Sequence, residues 1–150
     1  MKKDKKKIIT ICASASFYSA LFEIEKELKK TGFQVKIPIT ARRMKKANNF
    51  NVEQHKTWYI NPKEYSRKKK LMDMHFKKVM QADAILVVNE EKKGIKGYIG
   101  GNTLMEMTLA YYHKKPIFVW NGIEHTHPFE EEIMGMGSKI IDRDITKIKF

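Results

Sequence analysis

The chain is 150 residues long and 42% apolar. That suits one folded domain with a real core and leaves no room for two full ones. No apolar run approaches the roughly 18 residues of a membrane span, and the basic start Met1 to Lys7 leads into an apolar stretch too short for a signal peptide. A cytoplasmic protein with no membrane association is therefore expected. The single cysteine, Cys12, excludes an internal disulfide and argues against a Cys-based zinc site; it reads as a small buried residue.

The formal net charge of +13 is concentrated in one region. Residues 36–80 hold 13 basic against 3 acidic side chains, whereas residues 81–150 are nearly balanced, with 9 against 10. Arg42-Arg43-Met44-Lys45-Lys46 and Arg67-Lys68-Lys69-Lys70 surround Trp58, Tyr59 and Tyr65, a mixture suited to nucleic acid or to a phosphorylated small molecule. No recognition-helix or RNA-binding signature accompanies this charge. A solvated lysine face is thus the plainer expectation, with nucleic-acid binding through residues 36–80 as an alternative.

Along the chain, short apolar runs alternate with helical periodicities. Lys7 to Ala13 is β-branched and apolar on both faces, as a buried central strand should be. Ser14-Ala15-Ser16 offers an N-cap, and Phe17, Leu21, Ile24 and Leu28 recur at helical spacing until Gly32, predicting a helix over 17–31. Residues 33–38 form a second short strand closed by Pro38. Residues 39–63 show no steady period and read as an extended basic excursion.

A helix follows over 62–81, with Leu71, Met72, Phe76, Val79 and Met80 on one face. Strands are expected at 84–88, 116–120 and 139–141, and helices at 103–114 and 129–136. A glycine-rich loop spans 94–102. The alternation implies a single α/β domain of Rossmann-like or flavodoxin-like layered type, with a mainly parallel central sheet flanked by helices. Its ligand crevice should open at the carboxyl ends of the strands.

Three loops should converge at that crevice: Ser14 to Tyr18, the segment after Val88, and the segment after Trp120. The glycines of Gly97-Tyr98-Ile99-Gly100-Gly101-Asn102-Thr103 permit close backbone approach, and the helix that follows presents free amides to a phosphate or sugar. This is neither a P-loop, since the Gly-Lys-Ser/Thr ending is missing, nor the dinucleotide fingerprint, which belongs after the first strand. Thr103-Leu104-Met105-Glu106 has the spacing of a capping box. The same position would also keep the Glu106 carboxylate ionised in the crevice, where it could attack the anomeric carbon of a sugar.

The stretch Ala82 to Val88, the glycine loop, Thr103-Leu104-Met105-Glu106, and Ala110-Tyr111 to Lys115-Pro116 resemble the nucleoside 2-deoxyribosyltransferase family. The opening strand with its Ser/Phe/Tyr loop is also similar, so the likeness covers roughly two thirds of the chain. It implies N-glycosidic cleavage of a nucleoside or nucleoside 5′-monophosphate, with Glu106 as the nucleophile that forms a glycosyl ester. Ser14, Ser16, Phe17 and Tyr18 would hold the sugar or its phosphate. Gly100, Gly101, Asn102 and Thr103 would line the site, with Asn89 reading hydroxyls or base edges.

The resemblance further implies a homo-oligomer, with the tail around Met134 and Met136 lining a neighbour's site, and no cofactor. Related phosphoribohydrolases carry Gly-Gly-x-Gly-Thr-x-x-Glu, of which this chain lacks the third glycine. Where the family places an aspartate ahead of the Asp83 strand, this chain has His75. An imidazole can deliver a proton to the leaving base but not the same negative charge, which favours hydrolysis over transfer. Without a site role, His75 would be a surface helix residue. His125-Thr126-His127 lacks a carboxylate at helical spacing, and no metal is expected.

Overall fold

The computed structural model describes residues 3–150. Five parallel strands form one sheet: β1 (Ile8–Ala13), β2 (Gln34–Lys36), β3 (Ala84–Val88), β4 (Ile117–Val119) and β5 (Lys139–Ile140). Their spatial order is β2-β1-β3-β4-β5. The longest register runs from Ile9 opposite Ala84 to Ala13 opposite Val88. The expected α/β layered fold with a parallel sheet is present.

Side-chain alternation along the strands divides the core into two layers. Ile9, Ile11 and Ala13 of β1 join Ala84, Leu86 and Val88 of β3 on one face, beneath Leu21, Ile24 and Leu28 of helix α1 (Leu21–Lys30). Cys12, Ile85, Val87, Ile117 and Val119 point to the other face. There they meet Val79 of α4 (Tyr65–Gln81) and Met107 and Ala110 of α5 (Gly101–Tyr112). Burial of each such aliphatic side chain contributes about 1.5–3 kcal/mol. The alternation also sends Cys12 toward α4 and α5 rather than toward α1.

The expected helix over 17–31 is two pieces, a 3-10 segment Ala15–Ala20 followed by α1. Gly32 ends α1 as expected, with φ +99 and its amide bonded to Lys29 O at 3.1 Å. Residues 39–63 are not extended. They form α2 (Ile39–Ala47), the single turn α3 (Val52–His55) and 3-10 turns at Thr57–Tyr59 and Pro62–Glu64. The period is hidden because α2 buries only Ala41 and Met44, and the rest of the segment turns on local caps. Asn51 accepts from Glu53 N at 3.0 Å, and Asn48 closes α2 in the left-handed conformation. Trp58 anchors the segment at 4% exposure.

The N-cap of helix α5 lies three residues earlier than the Thr-x-x-Glu spacing predicts. Gly100 takes the N-cap position with no side-chain cap bond. Thr103 is therefore inside the helix, and the expected capping box is absent. A short α6 (Glu130–Gly135) precedes β5.

Candidate functional site

In a sheet of order 2-1-3-4-5, neighbouring connections diverge between β1 and β3, opening a crevice at their carboxyl ends. A cavity of about 420 Å³ lies beyond the end of β1, walled by α4, the start of α5 and the segment carrying Trp58. That is within the roughly 300–1,000 Å³ typical of small-molecule sites. Ser14, Tyr18, Gly100, Gly101, Asn102, Thr103, His75 and Glu106 all line it, which brings together most of the residues expected from the sequence.

Glu106 sits in the second turn of α5, 3% exposed. Its Oε1 accepts a hydrogen bond from Asn102 Nδ2 at 2.9 Å, one helical turn back. Asn102 Oδ1 in turn accepts from Lys68 Nζ at 2.9 Å, so α4 fixes the amide that fixes the carboxylate. Glu106 Oε2 is buried without a hydrogen-bond partner. His75 Nε2 lies 3.9 Å from that oxygen. His75 is no surface residue: it is 6% exposed, and neither ring nitrogen has a hydrogen-bond partner. On α4 it projects one turn ahead of the core residue Val79, which carries it inward.

Burial pushes the Glu106 carboxyl up to about 8, with the Cys12 thiol and the Lys68 ammonium opposing. Burial, and secondarily the charge of Lys78, brings His75 down to about 4, while the Ile11 backbone pulls the other way. Burial, reinforced by Glu106, raises the Cys12 thiol well above its ordinary value. The same two causes, with Cys12 added, raise the Tyr18 phenol. These surroundings therefore favour a neutral thiol, a neutral imidazole and a protonated carboxyl. At pH 7 only about one Glu106 in ten is ionised.

The lone cysteine does not exclude a mixed ligand set. One donor atom each from Cys12, His75 and Glu106 lie within 4.8 Å of one another, and all three residues are buried. A divalent transition ion with metal–ligand lengths of about 2.0–2.3 Å would have to draw them inward and remove the Cys12 proton. As they stand, the three share protons more readily than they share a cation.

Three expected site residues lie elsewhere. Ser16 is exposed. Phe17 is buried in the α1 layer, edge-on to Tyr98 at 6.4 Å between ring centroids. Asn89 is fully buried and staples two loops: its side chain donates to Gly97 O at 3.3 Å and Asn121 O at 2.9 Å, and accepts from Asn121 N at 2.8 Å. A polar residue at a strand end can serve the scaffold as readily as a ligand, and here the loop carbonyls reach it first. Asp73 is turned outward and paired with Lys69. His125 is exposed, whereas His127 is buried and accepts from Ile99 N at 3.0 Å, so the two histidines do not converge.

Sequence reasoning missed Lys56, Lys92 and Lys93 as wall residues, whereas Trp58 and Lys68, noted there within the basic segment, do line the cavity. Lys92 and Lys93 adjoin the glycine loop, the one signal that could have marked them. The chain matches no family model and no curated protein. What it does must therefore be argued from this cavity.

Proposed function

We propose that the protein cleaves the N-glycosidic bond of a nucleoside or nucleoside 5′-monophosphate, with Glu106 as nucleophile, as the resemblance to nucleoside 2-deoxyribosyltransferases implies. The observation that carries this reading is that Glu106, whose buried Oε2 has no hydrogen-bond partner, lines the cavity together with His75, whose Nε2 is 3.9 Å from that oxygen. A carboxylate beside C1′ stabilises the oxocarbenium character of the transition state and traps it as an ester.

The raised proton affinity of Glu106 keeps available, at neutral pH, the proton that the leaving base requires. Glu106 releases its proton to the neutral imidazole of His75, and the carboxylate oxygen attacks C1′ as the C1′–N bond breaks. The imidazolium then gives that proton to the departing nitrogen. Water hydrolyses the ester, one of its protons restoring Glu106. Hydrolysis is preferred to transfer because His75 stands where the family has an aspartate. A homo-oligomer is part of the same proposal.

Incubation of the full chain with pooled nucleosides and nucleoside monophosphates, followed by chromatography for liberated bases, tests it. Free base that disappears with Glu106→Ala is the expected result. Unchanged base release in that variant sinks the reaction. Tight nucleotide binding with no free base over hours would replace it by a binding module.

A further inference from the structure

Five lysines line the cavity (Lys56, Lys68, Lys78, Lys92 and Lys93), against the single carboxylate Glu106. Two of them are occupied: Lys78 Nζ donates to Ile37 O at 2.7 Å, and Lys68 Nζ to Asn102. Among the described residues, Lys56, Lys92 and Lys93 make no ion pair with any acid. Lys92 Nζ instead reaches Ser14 Oγ at 3.3 Å and lies 5.2 Å from the centre of the Tyr98 ring. Lys56 Nζ lies 5.5 Å from the Tyr59 ring.

Exposed lysines normally splay apart, and here the backbone restrains them. Lys92 and Ile95 exchange backbone hydrogen bonds at 3.1 and 2.9 Å across a two-residue turn in which Lys93 and Gly94 both have positive φ. That turn is the tight hairpin type, and a lysine held at φ +54 is unusual. The turn therefore fixes the backbone of Lys92 and Lys93 at the cavity wall, which Lys56 also lines from the segment before Trp58. These ammonium groups sense one another: burial first, then Lys56 and Lys93, lower the affinity of Lys92 for its proton. Gathered like charges with no counter-charge are a standing cost that a multiply charged anion relieves.

Resting on the glycosidic reading above, we propose that Lys56, Lys92 and Lys93, with Ser14, form a phosphate subsite at the cavity mouth, making the substrate a nucleoside phosphate rather than a free nucleoside. The Ser14 hydroxyl accepts from Lys92 and keeps its own proton to give to a phosphate oxygen. The sugar then spans from this mouth to Glu106 on the cavity floor.

The test compares base release from matched nucleosides and their 5′-monophosphates by the full chain, its Lys92→Ala and Lys56→Ala variants, and charge-conserving Lys92→Arg. The expected kcat/KM favours monophosphates by about 100-fold or more. Each alanine variant should cut that preference by roughly 10-fold, mainly through KM, with Lys92→Arg retaining most of it. Calorimetric binding of inorganic phosphate, weakened in both alanine variants, reads the subsite without turnover, and near-ultraviolet circular dichroism confirms that they are folded.

Equal cleavage of nucleosides and monophosphates, with no change in preference in the variants, overturns the subsite and leaves the glycosidic reading standing. Lysine-dependent phosphate binding without base release from any substrate keeps the anion site and overturns the reaction. A single-stranded oligonucleotide that binds far more tightly than its mononucleotides, through the same lysines, would assign them to nucleic acid and overturn the proposal.

Discussion

Glu106 answers to two opposed demands. Burial in a cavity that can exclude water strengthens every interaction the carboxylate would make with a developing cation, and the same burial raises it to about 8 so that it rests protonated. The unfolded chain loses this proton near the ordinary value of 4.5, whereas the folded chain keeps it to about 8. The folded state therefore binds more protons across that window, and stability present below about pH 4.5 is lost as pH rises toward 8. Glu106→Gln does not titrate. It should be the more stable protein at pH 8.5 by roughly 2–5 kcal/mol relative to the difference at pH 4, read from urea midpoints. The same substitution should lower base release by about a thousandfold or more. For the wild type, the Glu106–His75 pair keeps the one proton it passes to the leaving base up to about pH 8, so kcat/KM should be level from pH 5 to 7 and fall about tenfold per pH unit above 8. A rate that instead climbs about tenfold per unit from pH 5 to 8 would contradict this proton route. His75→Ala should cost about 10²-fold, and less for substrates whose base leaves readily as an anion. Added imidazole should restore part of the rate, which a merely structural histidine would not allow.

At the scale of elements, the cavity walls depend on how loops and helices are pinned. Gly97 has φ +70, and a Cβ there would run into the carbonyl oxygen of Gly122. Gly97→Ala should therefore push the loop after β3 away from the loop after β4. The Asn89 staple would break, and stability should fall by roughly 1–3 kcal/mol, measured by thermal melting. Helix α2, which carries Met44 into the cavity wall, is held to α1 by the pair between Arg42 and the buried Glu25, at 2.5 Å. Burial alone would raise Glu25, but the Arg42 guanidinium outweighs it and holds the carboxyl below its ordinary value of 4.5. A depressed carboxyl stabilises the fold above that value, and the contribution is lost as pH falls below it. Arg42→Met should thus destabilise at pH 7, and by progressively less as pH falls below 4.5, as urea titrations across that range would show.

Over the whole molecule, residues 39–64 are part of one body with the sheet, since Trp58 and Met44 are buried against the same cavity that β1, α4 and α5 enclose. Trp58 reports on this segment, and Trp120, 5% exposed just beyond β4, reports on the sheet. Variants keeping one tryptophan each, Trp58→Phe and Trp120→Phe, should unfold in urea with fluorescence transitions that coincide with circular dichroism for each variant. An earlier Trp58 transition would mean that the cavity wall melts before the sheet, as a separate unit. None of the helices among the described residues is long and apolar enough to cross a membrane. The charge of +13 is not one surface: part is absorbed by pairing, as with Arg42, and part faces the cavity as lysines.

The sequence by itself determined the layered architecture, because β-branched runs such as Ile8 to Cys12 and Ala84 to Val88 can be buried on both faces only inside a parallel sheet. It also placed Glu106 on a helix that follows a glycine loop, where topology opens a crevice. It could not reveal α2, whose two buried residues leave almost no period, nor the earlier start of α5, where an uncapped glycine took the place expected of Thr103. Only the tertiary structure decided that Cys12, His75 and Glu106 meet, since three residues from β1, α4 and α5 become neighbours through the parity of a strand and the rotation of two helices. It likewise decided that Asn89 and Phe17 belong to the scaffold and that Lys92 lines the cavity. Those outcomes depend on which partner reaches a side chain first, and local sequence holds no record of distance.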